Sequence, residues 1–387
     1  MHVLLTKTYV IMKRILLFAA AFAALTMTAQ DYTFEKVWEV TEGLPTNADS
    51  RQGICVDGTY YINVKTNNAE TGVTPYVVAV DENGVQTTDF EGGLNCGITC
   101  DEAGNLVISL ATFPGSWACD GETPLIRVIN PTTGETKEYA IPEDAAVLGR
   151  SDMLGMAQGD LMNEGKLFMV GQSADASNSG VVILSIVDGE VDVDNSYEAT
   201  VDVAVTPSTA TVINNIDGER AFYVTRNAAP VILTPDGDNF AGQAIALPNK
   251  GASCGAQIFQ FDGKDIAVYP TLPNYQDGFA VAEVGAEEPL FTVEPTGKTA
   301  YAQCNWVNAE VVGNDAYIYQ YMPGLFVACY KMSAPSTAVS NVNATKTATG
   351  VKYVNLAGHV SNVPFEGVNM VVTNYSDGTQ STTKVVK

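Results

Sequence analysis

Aromatic and amide side chains recur in the segments that follow the second strand of successive repeats of the chain. The set comprises Trp117, Tyr275, Tyr321, Asn67, Asn68, Asn227 and Asn274. An aromatic ring offers an apolar face on which a sugar ring can stack, and amide groups can bond to its hydroxyls. The set therefore suits a glycan-binding surface. That Trp117 and Tyr275 fold back over neighbouring blades is the interpretation that we favour for these two rings.

Three arginines, Arg51, Arg150 and Arg226, are expected on the same surface. Guanidinium groups pair well with carboxylates and phosphates, so a cluster of three would form an anion site. Pairing of each arginine with a local Asp is the interpretation that we favour. The segment TPDG at 234–237 resembles the repeated Asp-box turn of six-bladed sialidases, which use an arginine cluster. Because this segment occurs once, it gives little support to a sialidase.

Cys96, Cys254 and Cys304 occupy matching positions just before the first strand of three repeats. A ring of thiolates could bind a soft metal, whereas buried thiols are the simpler interpretation. The chain has 7 cysteines, an odd number, and its length does not require disulfides for a stable core. Cysteines are therefore not expected to define the fold.

An acidic ladder occurs in the segment VDGEVDVDNSYE. Asp188, Asp192 and Asp194 alternate along it and could coordinate Ca²⁺ through carboxylate oxygens. A solvated edge strand is the interpretation that we favour, because charged edges protect sheets against aggregation. Ca²⁺ is the one cofactor that this acidic pattern indicates.

The positions of the histidines exclude several kinds of catalytic and metal site. The chain has 2 histidines, and they are His2 and His359, one at each end. The repeats between them therefore cannot carry a Ser-His or Cys-His nucleophile pair or a histidine metal site. The formal charge is −24, from 20 basic and 44 acidic residues, and it disfavours nucleic acid and anionic membrane surfaces as partners.

Turns and apolar runs recur along the chain in a regular order. Turn-forming residues end at Gly58, Gly104, Gly165, Gly218, Gly263 and Gly313. The spacings between these turns are roughly 45–60 residues, and each turn is followed by an alternating apolar run, a variable loop and a third strand. Five repeats continue into a fourth strand, but the sixth does not. The segment 33–40 belongs to no repeat and fits the missing position.

We therefore predict an all-β fold: a six-bladed β-propeller over residues 31–335, closed by an N-terminal strand. Closure removes unpaired sheet edges. An array of β-sandwiches is the rival architecture, but it does not explain the missing fourth strand. Ligands of propellers commonly bind at the face that carries the loops between second and third strands, where the predicted aromatic, amide and arginine residues fall.

Residues 1–30 read as a signal peptide. Lys13 and Arg14 precede a short apolar run and small residues suited to cleavage, and Met12 is the expected true start. The run is too short to cross a bilayer, so no transmembrane anchor is expected. The sequence predicts an exported protein with a periplasmic, outer-surface or secreted location.

The C-terminal part reads as a linker over 336–349 and a small β-module over 350–387. The module contains GVN at 367–369, DGT at 377–379 and KVVK at the end. With these motifs it resembles the C-terminal modules of secreted Bacteroidetes proteins, some of which are type IX secretion signals. The resemblance implies a cell-envelope address. A β-module without a sorting role is the alternative.

We expect an exported binding protein that recognises a glycan or a partner protein of the cell envelope. A histidine-independent carbohydrate-active enzyme, a lyase or glycosidase using carboxylate, Tyr or Arg groups, is the first alternative. A structural surface protein is the second. The fold itself does not distinguish them, because propellers host both enzymes and binding proteins.

Overall fold

The computed structural model describes residues 32–46, 49–112, 120–145, 148–150, 153–155, 157–173, 179–202, 211–216, 220–224, 230–253, 255–299, 304–335, 348–355, 359–375 and 380–387. The predicted signal peptide and most of the predicted linker lie outside these residues. The chain divides into two compact units, Met1–Ala334 at the N-terminal side and Pro335–Lys387 at the C-terminal side.

The described residues form β-strands and two short 3-10 turns, at Glu143–Ala145 and Val193–Asn195. They include no α-helix. The first strands are β1 (Thr33–Val40), β2 (Gly53–Val56), β3 (Thr59–Val64), β4 (Tyr76–Asp81), β5 (Gly84–Glu91), β6 (Ile98–Cys100), β7 (Leu106–Ser109), β8 (Pro124–Ile129) and β9 (Thr136–Ala140). The next are β10 (Leu148–Arg150), β11 (Ala157–Asp160), β12 (Glu164–Ser173), β13 (Ser179–Val187), β14 (Glu190–Val191), β15 (Tyr197–Val201), β16 (Thr211–Ile216), β17 (Arg220–Val224), β18 (Val231–Asp236) and β19 (Asn239–Ala244). The remaining strands of the N-terminal unit are β20 (Gln257–Phe261), β21 (Lys264–Pro270), β22 (Phe279–Glu283), β23 (Phe291–Val293), β24 (Trp306–Val312), β25 (Asp315–Met322) and β26 (Phe326–Ser333).

Four sheets of the N-terminal unit have four antiparallel strands each. Their strand orders are β2-β3-β4-β5, β6-β7-β8-β9, β20-β21-β22-β23 and β1-β26-β25-β24. Burial differs between the strands of these sheets: every residue of β7 is buried, whereas β5, an outer strand, has no buried residue. The outer strand β5 is therefore partly exposed to solvent.

The N-terminal segment completes the last of these sheets, as the sequence predicted. β1 pairs antiparallel with β26 from Thr33↔Ser333 to Val40↔Val327, with an irregularity between Lys36 and Trp38. Phe34 stacks on Tyr330 at 5.6 Å and on Phe291 at 4.8 Å between ring centroids. These rings join β1 to the cores of two sheets.

The third and fourth repeats are joined in a way that the sequence did not predict. Their outer strands β15 and β19 run parallel and pair at Val201↔Phe240, so the two repeats form one continuous sheet. Asn239 Oδ1 accepts hydrogen bonds from Thr200 N at 3.1 Å and Thr200 Oγ1 at 2.7 Å. A polar side chain thus links two edges that the repeat pattern alone would leave separate.

The Asp-Gly turns adopt the conformation that their composition predicts. Asp57 and Gly58 have φ values of 48° and 78°, and Asp262 and Gly263 have φ values of 51° and 73°. Consecutive positive φ values mark the tight hairpin turn whose twist matches antiparallel strands. The predicted strands after both turns, β3 and β21, are present.

The C-terminal unit contains β27 (Ala348–Asn355), β28 (Val360–Ser361), β29 (Val368–Tyr375) and β30 (Gln380–Val386). They form one sheet in the order β28-β27-β29-β30. The buried Asn369 side chain bonds to Phe365 and Gly367 and fixes the entry to β29. Across both units, the described residues include no apolar helix of membrane-spanning length.

Candidate functional site

We use the term loop face for the ends of the sheets where the second strand passes into the loop before the third. The best described of these loops joins β21 to β22 through residues 271–278. At its tip Asn274 is exposed and Tyr275 is partly exposed, with a φ of 67° at Tyr275. Asn274 Oδ1 accepts a hydrogen bond from Ala252 N at 2.6 Å, which ties the loop to the segment before β20. The two predicted ligand-binding residues of this loop therefore lie at its surface.

Buried amides hold the base of this loop. Asn305 Nδ2 donates to the backbone oxygens of Gln276 at 2.8 Å and Gly278 at 3.0 Å. Gln320 Nε2 donates to the oxygen of Asp277 at 2.8 Å. Both amide side chains are completely buried. Three successive carbonyls of the loop thus bond to the neighbouring sheet, and a loop fixed in this way loses little entropy when a ligand binds.

Asp277 secures the other side of the same loop. Its carboxylate accepts hydrogen bonds from Thr296 N at 2.8 Å and Gly297 N at 3.2 Å, and from the hydroxyl of Thr296. Because this carboxylate is buried and bonded to backbone donors, it anchors the loop. It is not positioned as an exposed acid.

The β3–β4 loop contains the next two predicted residues, and they differ. Asn67 is exposed. Asn68 is buried, and its Oδ1 accepts hydrogen bonds from Glu70 N at 2.8 Å and Thr71 N at 3.2 Å. Asn68 therefore shapes its own loop, and the expectation that it is available to a ligand is wrong. An Asn beside a turn commonly bonds to backbone N–H groups in this way.

Tyr321 does not offer the exposed ring that the sequence predicted. It is completely buried because it belongs to strand β25, which extends to Met322 and leaves only three residues for the loop. Its hydroxyl shares a hydrogen bond with Ser50, and its ring lies 5.9 Å from that of Tyr60. Burial raises the pKa of Tyr321 well above its ordinary value. Tyr321 supports the floor of the loop face.

The predicted arginine cluster is described only in part. Arg51 lies two residues before the start of β2, is partly buried and has interaction partners. Arg150 ends β10. Arg226, Asn227 and Trp117 lie outside the described residues. A buried arginine that no sequence pattern singled out, Arg127, pairs with Glu138 at 2.6 Å and donates to the Glu91 and Gly92 carbonyls, so it has a structural role.

Two of the three matched cysteines are described. Cys96 and Cys304 are buried and form no disulfide bond, and Cys254 lies outside the described residues. After Cys254, a Cβ on Gly255 would lie 2.4 Å from Trp306 Cα, and a Cβ on Gly97 would lie 3.1 Å from Leu154 N. No three His, Cys, Asp or Glu side chains in the described parts of the chain form a group that could hold a metal ion. Buried packing accounts for Cys96 and Cys304.

The three aspartates of the acidic ladder have different local environments. Asp188 occupies the β13–β14 turn at a φ of 53°, and Asp194 is exposed. Asp192 caps the 3-10 turn Val193–Asn195, accepting hydrogen bonds from Asn195 N at 3.3 Å and Asn195 Nδ2 at 2.8 Å. The three carboxylates do not converge on one point that could bind Ca²⁺. Within the described residues the ladder therefore does not assemble a Ca²⁺ site, which was the less favoured of the two interpretations.

A close pair of acids lies at the opposite ends of the sheets. Asn105 Nδ2 donates to Asp101 Oδ2 at 2.8 Å and to Asp160 Oδ1 at 2.9 Å. Burial raises the pKa of Asp101, while hydrogen bonds from Asn105 and Leu161 N oppose the rise. The shared amide and backbone donors engage both acids, so the pair links two turns and is not arranged as an acid and base around a substrate.

An open groove with acidic walls lies beside β9. It has a volume of about 770 Å³ and is lined by β8, β9 and the β13–β14 turn, with Asp120, Glu143, Asp144 and Glu190 on its walls. Lys137 is the one cation among the described residues of the lining, and its Nζ donates to Met162 O at 2.8 Å. The groove is acidic and open, and no described residue that the sequence predicts to bind a ligand lines it.

Comparisons with known proteins identify similar solved structures. A DUF4623 family protein from Bacteroides eggerthii has 12% sequence identity and a TM-score of 0.52, over 74% of this chain and 71% of that chain. A protein of unknown function from Dyadobacter fermentans has 11% identity and a TM-score of 0.48, over 78% of this chain and 99% of that chain. Trypanosoma rangeli sialidase in complex with sialic acid has 10% identity and a TM-score of 0.44, over 79% of this chain and 59% of that chain.

No protein-family model and no curated protein matches the chain. At 12% identity, the likeness to the Bacteroides eggerthii protein shows a similar fold and nothing about activity. Function must therefore be inferred from the site itself.

Proposed function

We propose that this chain is an exported glycan-binding protein that takes its ligand on the loop face of a six-bladed β-propeller. Contacts between inner strands support the propeller. β12 contacts β16, β16 contacts β20, and β20 contacts β24. β24 in turn contacts β2, which contacts β6, so the last repeat meets the first. The pairing of β1 with β26 completes the sixth blade with a strand from the chain start.

The fixed loop 271–278 is the observation that carries the binding role. Asn305 and Gln320 bond to three successive carbonyls at its base, and Asn274 and Tyr275 remain at its tip. A preformed loop with an aromatic ring and an amide suits a ligand that has both apolar faces and hydroxyls. Sugars have this character.

Binding is a better account than catalysis for the described loop face. Asp277 is buried and bonded to backbone donors, and the repeats contain no histidine. General acid–base chemistry needs a titratable group within reach of the substrate. The loop offers uncharged groups at its tip instead.

Export and envelope location form part of the same proposal. The apolar leader at 1–30 and the tail at 350–387, which resembles modules of secreted Bacteroidetes proteins, support it. On this account residues 31–335 are the propeller. The acidic charge of −24 argues against nucleic acid as a partner.

Thermal melting of the full exported chain tests the proposal. The panel contains cellohexaose, mannohexaose, laminarihexaose and maltohexaose, each with Ca²⁺ and with a chelator. A sugar at a hundred times its dissociation constant adds about 2.7 kcal/mol to the free energy of unfolding, which a melting curve resolves. A rise with at least one sugar supports glycan binding. An unchanged melting temperature across the panel contradicts it.

A further inference from the structure

Two residues with positive φ, Asn249 and Tyr275, lie on adjoining segments of the loop face. The non-glycine residues with positive φ in the described chain are Asp57, Asp188, Asp262, Asn249 and Tyr275. The three Asp residues precede glycines in tight turns, where this conformation is expected. Asn tolerates it as well, but a Tyr at a φ of 67° is unfavourable. Strained backbone of this kind concentrates at ligand sites, where the surrounding structure holds it in place.

Hydrogen bonds place these two residues on adjoining segments. Leu272 N donates to Asn249 O at 3.1 Å, and Ala252 N donates to Asn274 Oδ1 at 2.6 Å. Asn249 and Asn274 are exposed, and Leu272 is 45% exposed. The segments 248–253 and 271–278 therefore present an aromatic ring, two amides and an aliphatic side chain close together. We call Asn249, Leu272, Asn274 and Tyr275 the Tyr275 patch.

Several side-chain hydrogen-bond donors and acceptors in and beneath the patch lack a partner among the described residues. The Asn249 amide and Asn274 Nδ2 have no hydrogen-bond partner among the described residues. At the start and base of the same loop, Thr271 Oγ1 and Gln320 Oε1 are buried, and within the described chain they are also without a partner. Buried polar atoms normally find partners, so this local concentration needs an explanation.

We infer that the Tyr275 patch is a subsite for one pyranose ring of a neutral glycan. The Tyr275 ring and Leu272 meet the apolar face of the sugar, and the amides of Asn249 and Asn274 bond to its hydroxyls. The charge of −24 favours a neutral sugar over an acidic one. The inference rests on the proposed glycan-binding function, and it names where on the loop face and by which groups the sugar is held.

Strain at Tyr275 gives this inference an unusual test. Glycine adopts positive φ freely, so Tyr275→Gly removes the ring and relieves the backbone together. The variant is expected to melt at the same temperature as the wild type or higher, while its dissociation constant for the best hexasaccharide of the panel rises about tenfold. Tyr275→Phe keeps the ring and is expected to bind within about threefold of wild type. Tyr197→Ala, at a 37% exposed tyrosine on β15, is the control and leaves the affinity unchanged.

Isothermal titration of the full-length variants separates the possible results. Weaker binding by Tyr275→Gly with an undiminished melting temperature supports the subsite, because a merely structural residue would lose stability. Wild-type affinity in Tyr275→Gly overturns the subsite but leaves glycan binding standing. If the wild-type chain binds none of the four hexasaccharides, the proposed function fails, and the subsite fails with it.

Discussion

Glu310 on β24 holds the turn between β2 and β3 at Gly58. Its Oε2 accepts a hydrogen bond from Gly58 N at 3.0 Å, and its Oε1 accepts one from Asp57 N at 2.9 Å. Glu310 Oε2 also accepts a hydrogen bond from the Cys55 thiol, with 3.3 Å between Sγ and the oxygen. A single side chain of the last repeat thus fixes the first turn of the first repeat, at the junction where the proposed ring closes.

Glu310→Gln is expected to destabilise the N-terminal unit by about 2 kcal/mol, because an amide cannot accept from both N–H groups and carries no charge. Glu283→Gln is the matched control. Glu283 pairs with Lys264 near the surface, so its substitution is expected to cost less than about 1 kcal/mol. Urea unfolding midpoints of the two variants measure the difference. Equal midpoints would mean that the Glu310 contact does not stabilise the junction.

Substitution of Phe34 tests how much the packing of β1 stabilises the N-terminal unit. Its ring stacks on Phe291 and Tyr330, so Phe34→Ala is expected to cost about 2–4 kcal/mol. Val37 lies on the same strand but is 46% exposed, and Val37→Ala is expected to cost less than about 1 kcal/mol. Thermal unfolding of both variants provides the comparison. A Phe34→Ala variant as stable as Val37→Ala would show that β1 adds little to the fold.

Gly255 is expected to be irreplaceable because of its neighbour as well as its φ of 79°. An added Cβ would lie 2.4 Å from Trp306 Cα, so Gly255→Ala is expected to cost at least about 3 kcal/mol. Gly237 has a φ of 63° and no atom within 4 Å of the added Cβ, and Gly237→Ala is expected to cost about 1–2 kcal/mol. Denaturant midpoints compare the two. Similar losses would show that the backbone conformation alone matters at Gly255.

The Cys329 thiol is expected to be unreactive in the folded protein. Burial raises its pKa to about 11, opposed by a hydrogen bond from Tyr319 and assisted by the Glu310 charge. At pH 8 roughly one thiol in a thousand would then be ionised, against about a quarter at the ordinary pKa of 8.5. Because the folded state holds this proton more tightly, its contribution to stability is complete below about pH 8.5 and is lost as pH rises through about 11.

Mass spectrometry after brief alkylation checks this expectation at the level of single cysteines. Labelling of Cys329 at pH 8 is expected to be at least about a hundredfold slower in buffer than in denaturant. Comparable rates would mean that the thiol is accessible and ionised in the native protein.

The sequence carried enough information for strand partners but not for side-chain directions. Alternation and Asp-Gly turns predict β3 and β21, because local pattern determines hairpin pairing. The missing fourth strand of the sixth repeat indicates 33–40 as the partner of β26. The sequence predicts a loop at Tyr321, whereas the end of β25 depends on pairing across the sheet and lies at Met322. The sequence also predicts an available side chain at Asn68, whereas this amide bonds to its own turn.

Long-range contacts account for what the sequence could not indicate. The parallel pairing of β15 with β19 is accompanied by a polar contact between Thr200 and Asn239, which are distant in the chain. Asn249 was not among the predicted residues, because nothing local shows that 248–253 lies against 271–278. The positive φ of Tyr275 has no signal in residue type, since tyrosine rarely adopts it.

Hydrogen–deuterium exchange of the full chain with and without its best hexasaccharide tests the central claim most directly. If the loop face binds a glycan at the Tyr275 patch, protection should increase in 248–253 and 271–278 and remain unchanged at the opposite ends of the sheets, for example around Gly58 and Asp101. Protection confined to those opposite ends, or to the acidic groove beside β9, would contradict the account.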